Sequence, residues 1–425
     1  MRIALYHNLP SGGAKRAANE IVRRLQEQHR TDVYTLSQAD HDFADLRPHV
    51  HNHFIYPFRS LPLLPSPFGR ANQLSRLLDL YRVRNLARRI AHDIEQRDYE
   101  VVFVHPCQVE IAPSVLSYLQ RTPTVYFCQE PLRRVYERMP TRPYDGLDSS
   151  RRRLLNTIDP LPRLYMAALA SNDRRNTRAA GAVLVNSDFM RRAVQNIYGL
   201  QAQVAYLGVD VQRFYPQQRE RRPMVLSVGS LTPLKGFDFL IEAMSRLPVA
   251  LRVPLVIASN FENGPERHYL RQLAADRGVD LQLHRNITDE RLLELYNEAQ
   301  LVAYAAIREP FGLVPLEAMA CATPVVGVAE GGVQESVVHE QTGLLTERDP
   351  DDFSRALARL LGDAQLARTY GQQGRQLVEE HWSWDRATAR VEQSLHAIDR
   401  HRGARLPANG RTRALNVRLT SNHDR

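Results

Sequence analysis

The sequence predicts an α/β protein of two doubly wound, Rossmann-like domains. Three observations carry that expectation. Apolar runs of strand length alternate with segments of helical periodicity along the chain, the pattern of parallel sheets with crossover helices. Glycine turns stand between strand and helix at Gly12, Gly13 and again at Gly331, Gly332. The 425 residues exceed what one core holds and suit two domains of about 200 residues.

Taken in order, Arg2 to Tyr6 reads as a short buried strand, and Ala17, Ala18, Ile21, Val22 and Leu25 mark one face of a following helix. A second strand spans Asp32 to Leu36. Residues 41–80 read as an irregular insertion rich in proline and aromatics, the kind of stretch that meets an acceptor or a membrane. A basic amphipathic helix from Ser75 to Gln96 precedes the apolar strand Val101 to Val104, which ends at His105. Strands Thr124 to Phe127 and Ala182 to Val185 flank a basic, proline-punctuated segment, Arg133 to Arg178, expected to wrap the domain edge. The second domain opens with strand Met224 to Val228 and a helix burying Phe237, Leu240, Ile241, Met244 and Leu247. Strands at 255–258, 280–283, 301–305 and 324–328 then alternate with helices at 266–277, 289–300 and 317–321. A final helix near Asp385 to Ile398 is long enough to return to the first domain, and the polar tail beyond Arg402 reads as disordered.

Composition limits the function. No apolar run approaches the roughly 20 residues of a membrane span, and MRIALYHNLP lacks the basic start and long apolar core of a signal peptide, so a cytoplasmic protein is expected. Cys107, Cys128 and Cys321 are scattered and odd in number, which suits neither a disulfide framework nor a CxxC metal site. The net charge of +9 is gathered in the first half, at Arg82 to Arg89, Arg133, Arg134, Arg151 to Arg153, Arg174 to Arg178, Arg191 and Arg192. Such a field suits a phosphorylated substrate, an anionic membrane or nucleic acid, and equally a solvated surface. No nucleic-acid motif interleaves aromatics with these clusters.

The stretch EPFGLVPLE, Glu309 to Glu317, carries the chemistry. A strand, a turn and a helix start leave Phe311, Gly312 and Leu313 to direct backbone N–H groups at an anion, which the helix dipole also favours. Glu317 is expected in the first turn of that helix and Glu309 on the incoming loop. In isolation the pair reads equally as a solvated acid and a helix-start acid. Lys235, ahead of a helix, suits a diphosphate, though a lone loop lysine is ordinarily solvated. Gly12 and Gly13 permit close backbone approach but do not complete a GxGxxG fingerprint, so a plain tight turn stays open. His105 stands at the carboxyl end of a strand, where open α/β sheets bind ligands, and a structural histidine is the other reading.

The ordered set GSLTPLKG, EPFGLVPLEAMACATPVV and EGGVQESVVHEQTGLL, preceded by NSDFMRR and LGVDVQRFYP, resembles the GT-B glycosyltransferases of family 4. The likeness is nearly end to end in the second half. In the first half it rests on the Gly12, Gly13 turn, His105, and Asn186 with Ser187. It implies a first domain at 1–207 that binds acceptor, a donor domain at 208–385, a crossover helix at 386–402 and a tail at 403–425. It also implies roles. Glu317 would hold the ribose hydroxyls, Glu309 would contact the transferred sugar, and Lys235 would meet the diphosphate. Phe311, Gly312 and Leu313 would cradle phosphate, Gly12 and Gly13 would close over the donor, and His105 would touch the sugar. Ser230 departs from the family pattern, standing where an arginine is usual and removing half of a cationic clamp.

The resemblance further implies a metal-independent, retaining transfer with no cofactor, from a UDP- or GDP-sugar to a saccharide or lipid-linked saccharide of the cell envelope. Peripheral contact with an anionic membrane goes with such an acceptor, and no nucleic-acid partner is implied. A sugar-nucleotide-binding protein without turnover, and a soluble-disaccharide or glycogen synthase or phosphorylase, are the alternatives.

Overall fold

The computed structural model describes residues 1–64, 72–146, 159–261 and 263–403. Seven strands of the first half, β1 (Arg2–Asn8), β2 (Arg30–Leu36), β3 (Asn52–Tyr56), β4 (Val101–Cys107), β5 (Thr124–Phe127), β6 (Ala182–Val185) and β7 (Gln203–Val204), form a sheet in the order β3-β2-β1-β4-β5-β6-β7. Six more form the second sheet: β8 (Arg222–Val228), β9 (Leu255–Ser259), β10 (Leu281–Arg285), β11 (Ala299–Tyr304), β12 (Val325–Val328) and β13 (Gly343–Thr346). Their order is β10-β9-β8-β11-β12-β13. Every pairing is parallel, so β4 is buried throughout and β1 from Ile3 onward, as strands covered by helices on both faces must be.

Each sheet reverses its winding between two central strands, β1 and β4 in one and β8 and β11 in the other. Ligands bind at such switch points, beyond the carboxyl ends of the strands. The two switch points face each other. Gly13 and Arg16, after β1, meet Leu313 and Glu317, after β11.

Several stretches differ from the sequence expectation. The insertion at 41–80 contains β3, an edge strand whose residues are mostly half-buried and therefore lack a clean apolar signal. Pro65, Pro67 and Phe68 lie outside the described residues, as do Arg151 to Arg153 and the tail beyond 403. The helix predicted from Ser75 starts at Asn72 and ends at Glu95. Strand β4 runs on through His105 to Cys107, so that histidine is a strand residue rather than a loop residue. Among the described residues, the Arg133 to Arg178 segment carries the helix Leu161–Ala179.

The helix assigned to 317–321 spans Leu313–Ala320 instead. Pro315 suggests a later start, yet its missing N–H falls among the orphan donors of the first turn and costs no hydrogen bond. Glu317 therefore sits in the second turn. The basic clusters are also less free than composition suggested. Arg133 is buried, and Arg191 and Arg192 both pair with Asp188, at 2.6 and 2.8 Å.

The chain crosses between domains twice, side by side. Val209 donates its N–H to the Trp382 carbonyl at 2.8 Å and runs parallel to Ser383. After that crossing the helix Trp384–Gly403 lies on the first domain, against the helix Gly13–Leu25 and strands β4 and β5. Trp384, Ala387, Val391 and Leu395 are buried there, and burial of a Val or Leu side chain contributes about 1.5–3 kcal/mol.

Candidate functional site

The loop after β11 and the turn after β8 bring Glu309 and Lys235 together. Lys235 closes the 3-10 turn Pro233–Lys235, and its Nζ donates to both Glu309 carboxylate oxygens at 2.9 Å. Ser230 belongs to the same turn, where its hydroxyl lies 3.4 Å from that of Thr232 and supplies no charge. Both members of the Lys235–Glu309 pair are 22% exposed, so the pair is open to a ligand from the cleft.

Three residues after Glu309, Gly312 holds a φ of 94° and begins the helix Leu313–Ala320. No side chain caps that start, which leaves its first N–H groups as an anion site. Opposite stands a second uncapped start, Gly12 with the helix Gly13–Leu25. A Cβ on Gly13 would lie 3.4 Å from Leu313, so the two helix starts meet at the cleft floor. Gly331 pins the Glu309 loop from behind. Its φ is +66°, and a Cβ there would stand 2.3 Å from the Glu309 carbonyl, a contact only glycine avoids.

Glu317 is 5% exposed and fully engaged. Arg16, from the first domain, donates to its Oε1 at 2.8 Å, and the Tyr296 hydroxyl donates to its Oε2 at 2.7 Å. His105 lies deeper. Its ring is fully buried, its Nδ1 is 3.4 Å from Gln129 Nε2, and its Nε2 has no hydrogen-bond partner among the described residues. Burial, reinforced by nearby Lys15, lowers its pKa to about 3, so the imidazole is neutral and suited to a hydroxyl.

Four features of the site depend on contacts between domains, and of these only the Asn186, Ser187 motif is visible in the sequence. Ser187 caps the helix Asp188–Tyr198 through Met190 N–H at 3.0 Å and donates to the Pro310 carbonyl at 2.5 Å, so Ser187 fixes the Glu309 loop from across the cleft, while Asn186 donates to the Gln129 carbonyl at 3.1 Å. Glu335 accepts from the N–H groups of Asp188 and Phe189 at 2.8 and 2.9 Å. Glu130, past the end of β5, has its carboxyl pKa raised by burial and then by Glu309, so a further acid lies within electrostatic reach of the pair. Arg142, from the first-domain side, is buried between Glu266 and Asp238, with its Nε 3.0 Å from Glu266 and its Nη1 2.9 Å from Asp238.

The site thus joins Lys235, Glu309 and the Phe311 to Leu313 backbone on one wall, with Gly12 and Gly13 in contact. Glu317 lies behind the Arg16 bond, and His105 is fully buried on β4 of the first domain. Two family models match in tandem, "Glycosyltransferase Family 4" over residues 11–213 and "Glycosyl transferases group 1" over residues 209–377. The human alpha-1,3/1,6-mannosyltransferase ALG2 is 29% identical over 249 residues, covering 52% of this chain and 60% of that protein. Across the curated relatives it matches, the chain spans between 42% and 64% of their length.

Sucrose-phosphate synthase from Thermosynechococcus elongatus superposes with a TM-score of 0.71 at 20% identity, over 94% of this chain and all of that one. HepE from Anabaena, solved with UDP and glucose, gives 0.66 at 20% identity over 93% and 100%. Those two likenesses speak to the fold. With paired switch points, uncapped helix starts and both halves matched in order, the chain belongs to the GT-B glycosyltransferases of family 4, the glycosyl transferases group 1.

Proposed function

We propose that the protein moves a hexosyl group from a nucleotide-diphosphate sugar to a hydroxyl acceptor, with retention of configuration. The observation that carries this reading is the Lys235–Glu309 pair beside the uncapped helix start at Gly312. A departing nucleoside diphosphate bears about two negative charges, which an ammonium and helix N–H groups offset in a site of low dielectric. Lys235 would exchange one carboxylate partner for phosphate, and Glu309 would turn toward the sugar. A ribose diol would take the place of Arg16 on Glu317. Neutral His105 would accept or donate to a sugar hydroxyl through its unpartnered Nε2. Closure of the walls would exclude water and suppress hydrolysis.

A melting-temperature and calorimetric screen against UDP, GDP, ADP and their hexose conjugates tests this reading. One nucleotide is expected to raise the melting temperature of the wild type, and Glu317→Ala is expected to lose that response. A flat response to every nucleotide would sink the proposal.

A lipid-linked envelope acceptor is supported by the surface near residues 41–80. Leu74, Leu78 and Tyr81 recur on one face of the helix Asn72–Glu95 and are 49%, 54% and 64% exposed, and Arg76 lies over the Tyr165 ring of the neighbouring helix, where Leu164 is 56% exposed. Apolar side chains beside arginine suit an anionic bilayer surface. No helix among the described residues is long and apolar enough to cross a membrane. The protein is expected to co-sediment with phosphatidylglycerol vesicles and to lose that on Leu78→Asp with Tyr81→Asp; equal recovery in the supernatant for both proteins would reject the membrane-facing acceptor.

A further inference from the structure

Lys15 is out of place for a lysine. It stands in the first turn of the helix Gly13–Leu25, is 1% exposed, and its Nζ lies 3.4 Å from His7 Nε2 rather than from a carboxylate. Burying an ammonium without a counter-charge costs several kcal/mol, so a fold that does this keeps the group for something else.

The surroundings share the same character. Fully buried His7 lies on β1 and fully buried His105 on β4, either side of the switch point. His53, on β3, and His41, after β2, face each other with ring centroids 5.5 Å apart. Both ring nitrogens of His41, Nε2 of His53 and Nε2 of His105 are buried without a hydrogen-bond partner. Burial and then repulsion from His41 lower His53 to about 4, and burial lowers Lys15 to about 8 against the pull of Asp40 and Asp45.

The nearest acids are otherwise engaged. Asp45 accepts from Arg47 Nε at 2.8 Å, and Asp40 accepts from the N–H groups of Asp42 and Phe43 at 3.1 and 2.9 Å. One lysine, four histidines and several orphaned nitrogens gathered at one sheet end form a site for an oxyanion, since an incoming anion would supply the missing acceptors and favour the protonated forms together.

We propose that Lys15, with His7, His41 and His53, binds a phosphate monoester carried by the acceptor. The proposal rests on the transferase reading and adds the acceptor's chemical class. Position separates this site from the donor's. Lys235 and Glu309 belong to the second domain, whereas Lys15 belongs to the first and contacts His7 on β1. Within the cluster His41 and His53 are the half-exposed members and form its entrance.

The test is calorimetric titration of the full chain with inorganic phosphate, then with a hexose 6-phosphate against the free hexose, each with and without saturating nucleotide. Phosphate and the hexose phosphate are expected to bind the wild type, free hexose much more weakly, and nucleotide is not expected to displace them. Lys15→Gln and His53→Gln are each expected to weaken phosphate binding about tenfold or more, by loss of a charge-assisted hydrogen bond, while nucleotide binding and the melting temperature are retained. No phosphate binding to the wild type, equal binding in both variants, or displacement of phosphate by nucleotide would overturn the proposal. Phosphate binding that depends on Lys15 in a protein indifferent to every nucleotide would keep the anion site and sink the donor reading alone.

Discussion

A Lys235→Ala variant is expected to bind nucleotide weakly and to turn over about 10²–10³-fold more slowly than wild type, the usual cost of removing one group aimed at developing negative charge. The side chain is the cation closest to Glu309 in the donor turn, and Ser230 offers only a hydroxyl in its place. Glu309→Ala is expected to lose turnover to at least the same degree, because it removes the group proposed to meet the sugar and also releases Lys235 from its orientation. Neither change should unfold the protein. The pair is partly exposed, and such ion pairs contribute about 0–1 kcal/mol to stability. Initial rates of donor consumption and product formation, set beside thermal melts, decide the matter. Turnover within a few-fold of wild type in either variant would show that the pair is a surface salt bridge and that the chemistry lies elsewhere.

Arg142→Ala is expected to cost about 3–5 kcal/mol of stability, the penalty for leaving buried charges without a partner. Glu266 is completely buried, and its carboxylate receives the Arg142 guanidinium and the Tyr144 hydroxyl, while Asp238 receives the other guanidinium nitrogens. Removing the arginine leaves the buried Glu266 carboxylate without its cation, beside the partly exposed Asp238. Chemical denaturation with a global fit gives the loss directly. Adding Glu266→Leu and Asp238→Leu to Arg142→Met is expected to recover most of it, since an apolar replacement of a buried ionic set is often neutral or favourable. A single variant as stable as wild type would mean that water reaches the seam and screens the acids.

The alternation of strand and helix made both sheets legible, because parallel strands buried on two faces leave continuous apolar runs such as Val101 to Val104 and Leu301 to Ala305. Edge strand β3 was not legible, since an edge strand buries less and its Asn52, His53 and Phe54 carry no simple alternation. Local pattern also set the start of the helix at Gly312 too late, as Pro315 is compatible with either side of a helix boundary. In the site, the residues adjacent in sequence to a glycine turn were readable from that turn. The partners that arrive from the other domain were not. Arg16, Glu335 and Arg142 are ordinary surface-type residues in their own segments, and their meaning comes from what faces them across the cleft. Lys15 was hidden for a related reason: a lysine in a first helical turn looks solvated until the sheet end that covers it is known.

The double crossing at Val209 and Ser383 has a consequence for how the protein is made. The first domain is discontinuous, with residues 1–204 closed by the helix Trp384–Gly403, and the whole second domain lies between those parts. Domains commonly fold in order of synthesis, the N-terminal one first. Here the apolar strip on Gly13–Leu25, β4 and β5 stays uncovered until the ribosome has passed residue 403, so the second domain must form while the first is still incomplete, and a stalled nascent chain exposes that strip for the whole interval.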